Sequence, residues 1–202
     1  MPGMGGAPGF TTVAIMWCMM MVAMMVPAAS PTILLYARVH RHSEELDDAP
    51  PTSAFLAGYL VCWLVVALAA AGLQIWLIAP VSTALANNVA SGSLLIAAGV
   101  YQLSPFKDAC LSRCRSPAIF LSHHFRPGAL GAIRLGVLHG AYCVGCCWLL
   151  MALLFVSGVM NLIWVVILTI LVAAEKLLPG GPWIARLVGI GMIVGGAGLI
   201  FG

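Results

Sequence analysis

Ala129-Leu-Gly-Ala-Ile-Arg134-Leu-Gly-Val-Leu-His139-Gly-Ala-Tyr-Cys143-Val-Gly-Cys146-Cys147-Trp148 opens the stretch whose reading decides the fold. The apolar run continues to Val156, with Arg134 its only formal charge. It is longer than the ~20 residues a helix needs to cross a bilayer. On a helix, His139, Cys143 and Cys146 fall at i, i+4 and i+7, which is one face. One imidazole and two thiols are soft-metal ligands by type. Cys143-Val-Gly-Cys146 is also a CxxC, which suits dithiol chemistry. Polar side chains are costly at membrane depth, so the cluster marks a functional site. From these residues alone, metal site and dithiol stay open together.

The rest of the composition agrees with a membrane setting. The chain has 202 residues, 62% hydrophobic and 7% charged, with a mean hydropathy of +1.08. A soluble domain carries roughly 25% charged residues. No polar segment is long enough to build a soluble domain, so residues 1–202 read as a single membrane domain. The fold class is all-α, a polytopic transmembrane helical bundle of about six spans. The start, Met1 to Phe10, lacks the basic segment and cleavage pattern of a signal peptide. A net charge of +3 on so apolar a chain concerns topology and not nucleic acid. Seven cysteines, several inside apolar runs, argue against a secreted disulfide framework and for metal, redox or core roles.

Spans are expected at about 10–36, 53–78, 82–103, 128–157, 160–178 and 182–201. The first holds six of the eleven methionines between Met16 and Met25, with Met16, Met20 and Met24 at i, i+4 and i+8. Pro27 and Pro31 should kink it. Ala79-Pro80-Val81 reads as a tight turn. The third span is the most polar, with Asn87, Asn88, Ser91, Ser93 and Gln102, and should turn that face to the bundle. Two polar loops are expected, 38–52 and 104–127. The first holds His40 and His42 and reads as a solvated connector. The second carries Cys110 and Cys114, one helical turn apart among Lys107, Arg113 and Arg115. That pair reads either as a second metal or redox site or as reduced thiols in a basic loop. Cys62 reads as core. Glu175-Lys176 reads as an ion pair at the end of the fifth span, with Glu175 as an outer ligand the alternative. Gly136, Gly140 and Gly145 should let neighbouring helices approach, as should Gly191-x-x-x-Gly195.

Charge sets the orientation. Arg38, Arg41, Lys107, Arg113, Arg115, Arg126 and Lys176 fall in loops on one side, with Arg134 and Arg186 nearest that side. The positive-inside rule makes it cytoplasmic and puts both termini outside. Met20 and Met24 then lie at mid-membrane depth, opposite His139 and Cys143. Cu(I) prefers thiolate and thioether donors and accepts imidazole. His139, Cys143, Cys146, Cys147, Met20 and Met24 therefore form the expected metal set, with copper the first choice and zinc the alternative. Oxygen-seeking Mg²⁺ and Ca²⁺ do not suit these donors. Ligands staged from Met24 through Cys143 to Cys114 also suit transport. No phosphate-binding GxxxxGK[ST] motif is present, so ATP-driven pumping by this chain alone is excluded. The expected function is soft-metal binding for homeostasis, transfer or cofactor assembly. A membrane thiol–disulfide oxidoreductase using Cys143 and Cys146, or a metal-dependent membrane oxidase, is the alternative. The expected partners are the lipid bilayer, a metal donor or acceptor protein, or further copies of the chain.

Three motifs in order carry a resemblance. They are Trp17-x-x-Met20-x-x-Ala23-Met24-Met25-x-Pro27-x-x-x-Pro31, then Tyr101-Gln-Leu-Ser-Pro105-Phe-Lys107-Asp-Ala-Cys110-Leu-x-x-Cys114, then Gly136-x-x-His139-Gly140-x-x-Cys143-x-Gly145-Cys146-Cys147-Trp148-x-Leu-Met151. Together they resemble an uncharacterised bacterial family of predicted metal-binding integral membrane proteins, over the stretch from Trp17 to about Lys176. The resemblance implies a helical protein of the bacterial inner membrane that binds metal.

Overall fold

The computed structural model describes residues 9–43, 52–85, 88–124, 126, 128–157 and 161–201, with side chains left out at 40–43, 77–85 and 156–157. Most of the loop expected at 38–52, with its acidic residues, lies outside the described residues. Every element is helical: α1 Phe10–Ser43, α2 Thr52–Leu85, α3 Asn88–Gln102, α4 Pro105–Arg115, α5 Pro117–His124, α6 Ala129–Ser157, α7 Leu162–Leu177 and α8 Gly181–Phe201. Among the described residues there is no strand. An all-α fold follows directly from apolar runs this long, since in hydrocarbon a helix satisfies its own backbone groups.

Among the described residues, four helices are long and apolar enough to cross a membrane: Phe10–Val39, Thr52–Trp76, Ala129–Phe155 and Gly181–Phe201. The pair α3–α4, bent by 60°, passes the same test when the two helices are taken together, as a broken span or a re-entrant loop. α7 has 16 residues, about 24 Å at 1.5 Å per residue, which is short of a ~30 Å hydrocarbon core.

α1 runs antiparallel to α2 and α6. At one end Trp17 donates to Gln74 at 2.5 Å and its ring lies 5.1 Å from Phe155. Towards the other end Tyr36 stacks on Phe55 at 5.0 Å. α2 and α6 cross at small residues, where side chains larger than hydrogen would strike backbone. A Cβ at Gly58 would meet the Ile133 carbonyl, and one at Gly136 the Phe55 carbonyl. Gly140 faces Cys62, which is half-buried in that crossing. Small residues at the crossing are what let the two backbones approach this closely.

A second pair, α3 with α8, is antiparallel and closes on glycines. Gly92 meets Gly196, and Gly99 meets Gly189, backbone against backbone. The expected Gly191-x-x-x-Gly195 contact is not used: Gly191 faces open space and Gly195 only touches Leu95. The polar face expected of the third span is likewise turned outward at Ser93, which satisfies its hydroxyl on the Val89 carbonyl at 2.7 Å. Gly92, Ala98, Gly99 and Gln102 are the residues it buries. The turn expected at Ala79–Val81 is also absent, because α2 continues through Pro80 to Leu85.

Most of the stretch 104–127, read as a loop, is two helices, α4 and α5. Ser104 caps α4 by accepting from the Lys107 amide, and Pro105 starts it. α4 turns Leu111 and Lys107 inward and packs on the middle of α6. Its polarity disguised it: the inward face carries a lysine, and the segment is hydrophilic on average.

Candidate metal centre

The α6 register brings the polar cluster to one buried stripe. Leu135, His139, Cys143, Cys146, Cys147, Leu150 and Leu154 are all buried. All seven cysteines of the chain are free thiols. Cys146 and Cys147 turn back along the helix and donate to the Cys143 carbonyl at 3.1 and 3.0 Å. Cys147 sits beside both Cys143 and Cys146, and Cys146 sits beside Cys114 of α4. Cys110, the other thiol of that helix, packs against Gly145, where a larger residue would collide with its sulfur. The two cysteine pairs that are separate in sequence thus form one string of thiols across α4 and α6. The α6 thiols are buried, whereas Cys110 and Cys114 are half-buried at its end.

Lys176 reaches into the string from α7. Its ammonium donates to Cys143 Sγ at 2.7 Å inside the core. Tyr59 stands on the same sulfur at 3.3 Å and also reaches the Met25 carbonyl at 3.0 Å. One phenol therefore joins α1, α2 and α6 at Cys143.

The expected Glu175–Lys176 ion pair does not form. Successive residues on a helix point 100° apart, so Glu175 faces α3 and α4 while Lys176 faces α6. Glu175 pairs with Lys107 at 2.7 Å, with both side chains buried. Gln102 donates to its other oxygen at 2.7 Å and accepts from Lys107. Both carboxylate oxygens are thus taken, and the small network is closed on itself. Arg115 adds bonds to the Glu175 and Pro179 carbonyls at 2.8 and 2.9 Å. These cover carbonyls that the end of α7 would leave open. Together they fix the register that aims Lys176 at the thiols.

His139 lies one turn below Cys143 in an aromatic cage. The rings of Phe120, Tyr59 and Phe55 lie 5.4, 5.8 and 6.1 Å from it. Its Nδ1 is buried and has no hydrogen-bond partner among the described residues. Buried polar atoms are normally satisfied, so such a donor or acceptor asks for an explanation.

The methionine helix presents a face rotated from the one its spacing suggests. Trp17 is the largest side chain and sets it, followed by Met21, Met24, Met25 and Ala28, all buried. Met24 joins the core that holds Cys143, while Met20 is half-buried at its edge and Met16 likewise. Among the described residues, no three His, Cys, Asp or Glu side chains stand together as a ready metal shell. The thiols form a string, with a lysine where a shell would close. Sulfur, imidazole and thioether groups within one core fit a soft ion and not a hard one. Sequence reasoning missed Lys176, Tyr59 and the union of Cys114 with Cys146. Only the pairing of Gly145 with a nearby small thiol could have signalled the last.

Comparison with curated proteins and with solved structures finds no match. A family model described as PpoB2, copper chaperone, matches residues 14–199, and the chain belongs to that family.

Proposed function

With membership of the copper chaperone family as the premise, we propose that this protein is a membrane-embedded Cu(I) carrier. Copper is its cargo, held at Cys143, Cys146, Cys147 and Cys114. The observation that carries this reading is the stacking of three buried thiols on one stripe of α6, two of them, Cys146 and Cys147, sharing the Cys143 carbonyl, with a fourth thiol from α4 beside Cys146. Copper in its +1 state is satisfied by few, soft ligands, and thiolates select it. The thiols need only turn away from the Cys143 carbonyl to offer their lone pairs inward. His139, with its unpartnered Nδ1, and Met24 are the neighbouring donors that extend the site, and Met20 lies further out.

The string also suggests a direction of handling. Cys110 and Cys114 are its more open end. They lie on the helix that carries Arg113 and Arg115, the side that the positive-inside rule assigns to the cytoplasm. Copper would then pass between the buried α6 thiols and a donor or acceptor protein by way of α4. Zinc, the other ion suited to Cys and His, prefers four fixed ligands, and the string offers no such shell. Thiol–disulfide exchange needs a reachable thiolate, and Cys143 and Cys146 are both buried.

The test is metal analysis of protein purified in detergent under reducing conditions from copper-replete cells. Near-stoichiometric copper is expected, lost when Cys143→Ala and Cys146→Ala are combined. Metal-free protein with intact thiols, or copper retained by the double variant, contradicts the reading.

A further inference from the structure

Among the described residues, Lys176 is the cation hydrogen-bonded to a thiol of the string, and no carboxylate is paired with it. Its neighbour Glu175 has both oxygens engaged by Lys107 and Gln102. The ammonium therefore rests on the Cys143 sulfur, 2.7 Å away and buried. A buried, unpaired ammonium is costly, so it stays only while the sulfur is available to it. Cu(I) carries the same single positive charge and seeks the same sulfur lone pairs. One sulfur cannot donate fully to both.

We propose that Lys176 is a tethered stand-in for the cargo, holding Cys143 while the site is empty and displaced by Cu(I) on loading. This deepens the copper reading and rests on it. Lysine suits the task because its ammonium is a compact point charge on a flexible four-carbon stem. An arginine fork would span two partners and resist removal. The Glu175 pins hold the backbone of α7 while the side chain moves. The empty pocket is thereby kept from collapsing and from exposing unpaired sulfur. Loading becomes an exchange of one cation for another, which weakens the net grip on copper and so eases its release to an acceptor.

The experiment compares wild type, Lys176→Gln, Lys176→Arg and Cys143→Ser in detergent. Each is titrated with Cu(I) against a chromophoric chelator, and melting is followed with and without Cu(I). Lys176→Gln should bind Cu(I) about ten- to a hundredfold tighter, the range implied by removing one charge-assisted hydrogen bond that loading must break. Its copper-free form should melt lower than wild type, and its Cu(I)-induced rise in melting temperature should be larger. Lys176→Arg, which keeps the charge, should bind more weakly than wild type. Unchanged or weaker binding by Lys176→Gln, with an equal melting rise, overturns the proposal. Should Lys176→Gln fail to fold, Lys176→Arg decides: weaker Cu(I) binding than wild type, from a fork that resists displacement, supports the proposal, and equal or tighter binding overturns it. Copper binding that Cys143→Ser leaves intact overturns the site reading itself. Thiol-dependent binding indifferent to Lys176 overturns only this inference.

Discussion

Replacing Lys107 by leucine should destabilise the protein by about 3 kcal/mol. Its ammonium lies 2.7 Å from Glu175, and the two side chains are 0% and 3% exposed. Removing one member of a buried pair strands the other, at a typical cost of ~3–5 kcal/mol. The low end applies because Gln102 still donates to the stranded carboxylate. For a chain of this size, that is a fall in melting temperature of roughly 6–12 °C. Removing both charges, Lys107→Leu with Glu175→Leu, should restore most of the loss. About 1 kcal/mol should remain for the unpaired Gln102 amide. Unfolding of the two single variants and the double variant in mixed micelles, followed by circular dichroism, gives the coupling energy of the pair. A single-variant cost below about 1 kcal/mol, or single costs that simply add in the double variant, would refute the closed-network account.

Three further outcomes follow from the packing. Gly136→Val should abolish folded protein, because its side chain would enter the Phe55 carbonyl, whereas Gly191→Ala, in open space, should melt at or slightly above wild type; detergent-solubilised yield and melting measure both. Tyr59→Phe removes the hydroxyl shared by Met25 and Cys143, and should cost about 1 kcal/mol in micellar unfolding. Cys114→Ser should weaken Cu(I) binding and slow its transfer to a soluble chelator, whereas Cys18→Ser should change neither.

The helical character was legible because hydropathy and run length suffice to specify it. The buried face of α6 was also legible, since 3.6-residue spacing puts His139, Cys143 and Cys146 on one stripe. The face of α1 was not read correctly, because methionine count outweighed Trp17, whose size and bond to Gln74 set the rotation. α4 was hidden for a different reason. Its inward residue is Lys107, and a lysine reads as solvent unless its partner 68 positions away is known. Glu175 and Lys176 looked like one pair because they are adjacent, yet helical geometry sends them to opposite neighbours. The α3–α8 contact did leave a trace, in the equal seven-residue spacing of Gly92 with Gly99 and of Gly189 with Gly196.

X-ray absorption at the copper edge of the Cu(I)-loaded protein tests the central claim most directly. A first shell dominated by sulfur is predicted, reduced in sulfur count by Cys143→Ser and again by adding Cys146→Ser. A nitrogen and oxygen shell, or a sulfur shell that both substitutions leave unchanged, would contradict it.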